Sequence, residues 1–137
     1  MANDVFIGAE GEITMDTVTK GLRIHDGSLR GGYKVPTLVA VQYPSATNNY
    51  IWYRKYSDGW VEQGGLLPHT PTGSTVTINL PVEMADANYT WNVGVSYNNS
   101  NTPPWYHMSI WNKTTTTFQM AQGDSADKCW EVKGMAA

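Results

Sequence analysis

No helical stripe persists anywhere along this chain, and that constrains its fold more than any single residue does. Apolar and polar residues alternate in short runs instead. The runs are separated by turn-rich pieces: PSATNN, LLPHTPTGS, YNNSNTPP and QGDSAD. Alternation with a period of two is the signature of a half-buried strand. It places strands over residues 37–43, 50–56, 60–63, 75–80, 89–97, 106–112, 115–120 and 129–132. Only residues 81–87 offer a place for a helical turn or two. Many short strands at regular turn spacing imply an all-β protein with a β-sandwich-like body.

The aromatic content agrees. The 137 residues include six Trp and eight Tyr against two Phe. Polar-ended aromatics suit strands, and they suit surfaces that meet partners. Charged residues are 15% of the chain and the formal net charge is -3, which is no nucleic-acid-binding balance. No apolar run approaches the ~20 residues of a membrane-spanning helix. The start, MANDVFIGAEGE, lacks the basic and apolar regions of a secretory signal, so synthesis in the cytoplasm is expected. Cys129 stands alone, which excludes an intrachain disulfide and reads as a small buried residue.

The chain divides near Pro36. In residues 1–36, Ile13, Met15 and Thr17 alternate with Glu12, Thr14 and Asp16, and Leu22 and Ile24 alternate with Arg23 and His25. Thr19-Lys20-Gly21 between them reads as a hairpin turn, with Gly21 taking positive φ. The expectation is a short β-hairpin module. It has too few large apolar residues for a core of its own, so it must pack on the rest of the chain or on copies of itself. Residues 37–137 form the larger body.

The segment YRKYSDGWVEQGG, residues 53–65, is the most unusual. Asp58-Gly59 signals a two-residue hairpin turn. That turn sets Tyr56 opposite Val61, Lys55 opposite Glu62 and Arg54 opposite Gln63. Neither face is then cleanly apolar, which suits a subunit contact better than one monomeric core.

Residues able to do chemistry are sparse. His25, His69 and His107 sit at no metal-ligand spacing, and His25 reads as flanking the Asp26-Gly27 turn. The carboxylates Asp16, Glu62, Glu83, Asp86, Asp124 and Asp127 are scattered, with no pair assembled for glycoside hydrolysis. No nucleophile elbow, phosphate loop or dinucleotide fingerprint occurs. The expectation is a protein without catalytic residues, metal or cofactor. The segment NNSNTPPWYH offers Asn98, Asn99, Asn101, Trp105 and Tyr106 as a polar loop ending in aromatics that could stack on and hydrogen-bond a sugar. His69, in the loop after Gly65, is a further candidate.

Two motifs bear a family resemblance. GEITMDTVTKGLRIHDGSLRGG is similar to a short N-terminal module of tail fibre and tail tip proteins of tailed bacteriophages. IWYRKYSDGWVEQGG resembles a hairpin that recurs in their distal fibre domains, and KCWEVKGMAA resembles their chain endings. The resemblance implies an intertwined homotrimer in the virion whose outer domain binds the host cell surface, a capsule or lipopolysaccharide glycan being the receptor. Residues 1–36 would then trimerise the chain or attach it to other tail or fibre proteins. Residues 37–137 would be the receptor-binding knob, with Arg54, Tyr56, Trp60, Glu62 and Gln63 at the trimer interface. A structural adaptor without receptor contact is the alternative, and a polysaccharide depolymerase a more distant one. Neither nucleic acid nor membrane insertion is expected.

Overall fold

The computed structural model describes residues 5–67, 74–96, 109–122 and 127–137. All of its sheets are antiparallel. The first is three-stranded, in the order β1 (Ile13–Met15), β2 (Leu22–Ile24), β3 (Tyr33–Val35). The expected hairpin is therefore extended by a third strand. Tyr33–Val35 follows two glycines and is too short to show a period, so alternation could not reveal it.

Aspartates build both connections of this sheet. Asp16 Oδ1 accepts from the Val18 and Thr19 amides at 3.0 and 3.1 Å, and the Asp16 amide donates to Gly21 O. Lys20, not Gly21, takes the left-handed conformation, at φ 60°. Gly21 is needed for space instead, since a Cβ there would stand 3.0 Å from Ser57 Oγ, in a hairpin loop of the larger body. In the second connection Asp26 Oδ1 accepts from the Ser28 and Leu29 amides at 2.9 and 2.8 Å. These bonds hold the Asp26 carboxyl at about 2, against an ordinary 3.8, and lower Asp16 in the same direction through its own two amides. A depressed folded value means the contribution is complete above the unfolded value and disappears as pH falls through the folded one. Amide protection at Ser28 and Leu29 is therefore expected to fall between about pH 4 and about pH 2 in hydrogen exchange. Asp26→Asn should remove that step. A wild-type step at neutral pH would contradict the assignment.

This sheet has its polarity reversed. Arg23 and His25 are buried, at 5% and 2% exposure. His25 Nδ1 accepts from the Gly8 amide at 3.2 Å, so the ring proton is on Nε2, which donates to Thr14 Oγ1 at 2.9 Å. Phe6 meets the ring edge-on at 5.3 Å. Arg23 donates to Gly31 O at 2.7 Å and approaches Asp16 at 3.5 Å. The opposite face pairs Ile13 with Ile24, Met15 with Leu22, Leu22 with Val35 and Ile24 with Tyr33. Of these six, five are exposed, Ile13 at 65% and Met15 at 57%.

The larger body has two sheets among the described residues. One is five-stranded, in the order β4 (Leu38–Gln42), β5 (Trp52–Tyr56), β6 (Trp60–Leu67), β11 (Asp127–Met135), β8 (Thr90–Ser96). The other has the order β7 (Ser74–Asn79), β10 (Thr117–Gln122), β9 (Ile110–Trp111). Both contribute to one core: Val61, Leu67, Trp130 and Val132 from the first, Ile78, Phe118 and Met120 from the second. Phe118 meets Trp130 edge-to-face at 5.5 Å, the favoured geometry for aromatic pairs. Residues 81–87 form no helix, and Met84 bridges to Ala136 instead. One turn of 3-10 helix, Ala46–Asn48, lies in the PSATNN segment.

The β5–β6 hairpin departs from expectation by one residue. Lys55 pairs with Val61, Arg54 with Glu62, Tyr53 with Gln63 and Trp52 with Gly64. The loop is Ser57-Asp58-Gly59, closed by the Gly59 amide on Tyr56 O at 3.0 Å. Gly59 has φ 90° and Asp58 has no positive φ. This is the three-residue loop in which a type I turn is followed by a left-handed glycine. The slip exchanges every pairing: the opposed charges are Arg54 and Glu62, not Lys55 and Glu62. It also turns Val61, Gln63, Gly65 and Leu67 to the core, all of them buried.

Gln63 is committed inside the chain. At 0% exposure, its Oε1 accepts from the Val82 amide at 2.9 Å and its Nε2 donates to Val82 O at 2.8 Å. It satisfies the backbone of the segment that crosses the end of the core.

Candidate functional site

Alternation along four neighbouring strands sets a second group of side chains on the outer face of the five-stranded sheet. They are Trp52, Arg54 and Tyr56 from β5, Trp60, Glu62 and Leu66 from β6, Cys129, Glu131 and Lys133 from β11, and Asn92 from β8. Cys129 is exposed here, opposite Leu66 and Gly94, and is not the buried residue expected. Its neighbours Lys128 and Trp130 take the inward positions of β11, so Cys129 must point out.

The face is hollowed at the end away from the Asp58-Gly59 turn. Two cavities of about 380 and 390 Å³ adjoin there and share Pro44, Trp52 and Glu131. Both lie within the size range of small-ligand sites. Glycines make the hollow. A Cβ on Gly64 would stand 2.8 Å from Trp52 Cζ2 and 2.6 Å from Trp130 O, so the Trp52 indole rests directly on the sheet backbone. A Cβ on Gly94 would meet Cys129 Sγ at 2.6 Å. Tyr50 reaches the rim from a turn in which Asn49 and Tyr50 both take left-handed backbone, at φ 53° and 56°. The Ser45 amide donates to Asn48 Oδ1 at 2.9 Å, and the Tyr50 amide to Ser45 O at 2.8 Å, and these bonds fix that turn.

The charges of this face are grouped. Lys133 Nζ lies 3.2 Å from Glu131 and 3.9 Å from Glu62, so one cation serves two carboxylates. Arg54 is exposed opposite Glu62. No cluster of three or more metal-ligating side chains occurs among the described residues.

Of the residues singled out from sequence, Arg54, Tyr56, Trp60 and Glu62 share this face, while Gln63 lies beneath it. Asn98, Asn99, Asn101, Trp105, Tyr106 and His69 fall outside the described residues. Trp52, Tyr50, Asn92 and Glu131 were not anticipated. The period-two alternation of KCWEVKG, with Cys, Glu and Lys set against Lys, Trp and Val, was the available signal for Glu131.

The architecture is tail-fibre-like. Two solved structures have a similar fold over about three quarters of the chain. One is the P. aeruginosa R2 pyocin fiber comprising C-terminal residues 323–691, at 18% identity and a TM-score of 0.49. It covers 77% of this chain, which spans 31% of that one. The other is an N-truncated R2-type pyocin tail fiber, at 17% identity and a TM-score of 0.50, covering 72% of this chain and 39% of its own. The likeness is one of fold. No protein-family model and no curated protein matches the sequence.

Proposed function

We propose that this chain is a tail fibre protein of a virion, assembled as an intertwined homotrimer, that binds a bacterial surface glycan during adsorption. Residues 1–36 are its trimerising or virion-attaching module, and residues 37–137 its sandwich-like receptor-binding knob. The observation that carries the reading is the apolar face of the first sheet, left bare in a chain of fibre-like fold. A contiguous exposed apolar face marks a contact surface, and three copies about an axis would bury it. The hairpin tip extends that seam. Ser57 Oγ accepts from the Thr37 amide at 3.1 Å, and Thr37 Oγ1 donates to Lys20 O at 2.8 Å, which ties the tip to the module; Tyr56 and Trp60 flank it. The segments carrying His69 and Asn98, Asn99, Asn101, Trp105 and Tyr106 are receptor contacts in this reading. Threefold repetition multiplies weak sugar contacts into useful avidity.

Sedimentation of the protein and its adsorption to a sensitive bacterium test the proposal together. A trimer that adsorbs to intact cells, and not to cells stripped of capsule and lipopolysaccharide, is expected. A trimer that adsorbs to no host leaves an adaptor.

Arg54 and Glu62 border the seam. Among the described residues, the ion pair of Glu62 is its partly exposed 3.9 Å contact with Lys133, worth at most about 1 kcal/mol. If Glu62 also pairs across subunits, Glu62→Ala will lower the trimer's melting temperature beyond what Lys133→Ala does. A trimer of unchanged melting temperature removes Glu62 from the interface.

A further inference from the structure

We propose that the hollow over Trp52 is the seat of one uncharged pyranose ring of the receptor glycan. The inference rests on the glycan reading above and assigns a place for the sugar within it. Three observations carry it.

The first is the platform. Trp52 lies on the backbone at Gly64, held flat because no Cβ intervenes. It is only partly buried, and it lines both cavities. A flat indole with one face on the sheet presents the other to the hollow. The C–H face of a pyranose is apolar and matches such a surface.

The second is the placement of polar groups. Asn92 is exposed at the rim and offers both donors and an acceptor. Glu131 reaches the same cavity from the neighbouring strand, directly beside Asn92 in the sheet. Its contact with Lys133 at 3.2 Å uses only part of the carboxylate's acceptor capacity. An apolar floor with a few convergent polar groups is the general form of a small-ligand site. A polyhydroxylated ring needs both parts.

The third is charge. Glu131 is the one charged residue among those lining the cavity bounded by Tyr50, Leu66 and Asn92. An anion there would meet a carboxylate at close range. The cavity bounded by Tyr50, Leu66 and Asn92 therefore favours a neutral ring over a uronic or sialic acid, while the adjoining cavity holds the cations Arg54 and Lys133 beside Glu62.

The test uses the assembled protein on an array of immobilised neutral, amino and uronic-acid pyranosides, and on lipopolysaccharide and capsule from a bacterium it adsorbs to. Trp52→Ala is expected to weaken binding about tenfold or more, as loss of an aromatic anchor does. Asn92 is exposed, so Asn92→Ala keeps the fold and should weaken binding about three- to tenfold. Glu131→Gln retains an acceptor and removes the charge, so it should narrow the preference for neutral over acidic sugars. Wild-type binding that survives both Trp52→Ala and Asn92→Ala overturns the hollow as the sugar seat. If Trp105→Ala abolishes that binding, the glycan reading stands and the contact lies in the loop. A wild-type protein that binds neither the array nor the polysaccharides overturns the glycan reading, and this inference with it.

Discussion

If the bare apolar face of the first sheet is a trimer seam, aspartate at both Ile13 and Ile24 will leave the protein monomeric in sedimentation while its larger body stays folded. The two side chains are directly opposite each other on β1 and β2, and exposed at 65% and 44%. Neither belongs to the core shared by the other sheets. The double substitution therefore removes no contact on which the larger body depends. In a trimer seam it would bury two carboxylates per chain without partners. Each such charge costs several kcal/mol, more than the net affinity most seams can spare. The far-ultraviolet signal and the melting of the knob should survive, allowing for loss of the concentration-dependent stabilisation that association supplies. Retention of the trimer would show that the bare face is not the seam. Ile13→Val with Ile24→Val, which keeps the face apolar, should leave assembly intact.

Phe118→Ala will act on the opposite half of the molecule. Phe118 is fully buried and packs edge-to-face on Trp130 across the two sheets of the larger body. Truncation loses the transfer free energy of the ring and leaves a cavity, which together cost about 3–5 kcal/mol. For a body of this size that lowers the melting temperature by roughly 15 °C or more. The near-ultraviolet signal of Trp130 should weaken with it. Phe118→Leu fills most of the space and should cost much less. A loss below about 1 kcal/mol for Phe118→Ala would mean that the two sheets are not joined through this contact.

The strands of the larger body were legible as period-two alternation, most plainly in β6, β7, β10 and β11, each of which sets one face in the core and one outside. Tyr33–Val35 was not, since three residues after Gly31-Gly32 carry no period. The hairpin was legible from Asp58-Gly59, but its register was not. The same dipeptide closes a two-residue loop or the last two positions of a three-residue one. Here the Ala136 amide on Gly59 O at 2.8 Å and the inward demand of Val61 and Gln63 choose the latter. Those are contacts with the chain's end and with Val82, far along the sequence.

The candidate site was hidden for a related reason. Trp52, Asn92 and Glu131 come from three strands and are neighbours only through the pairing of β11 with β6 and β8. Nothing near Gly64 in the sequence indicates that its missing Cβ seats an indole.

By itself the sequence determined an all-β chain, the places of most of its described strands and turns, and the two motifs that resemble tail fibres. These depend on local periodicity and on conformational preferences within a few residues. Only the tertiary structure decided which face of each strand is inside. In the first sheet Arg23 and His25 go in and the aliphatic residues stay out, because Asp16 and Gly31 engage the terminal guanidinium nitrogens and Gly8 and Thr14 the imidazole nitrogens. Alternation marks two faces but carries no sign, and the sign is set by what each face meets.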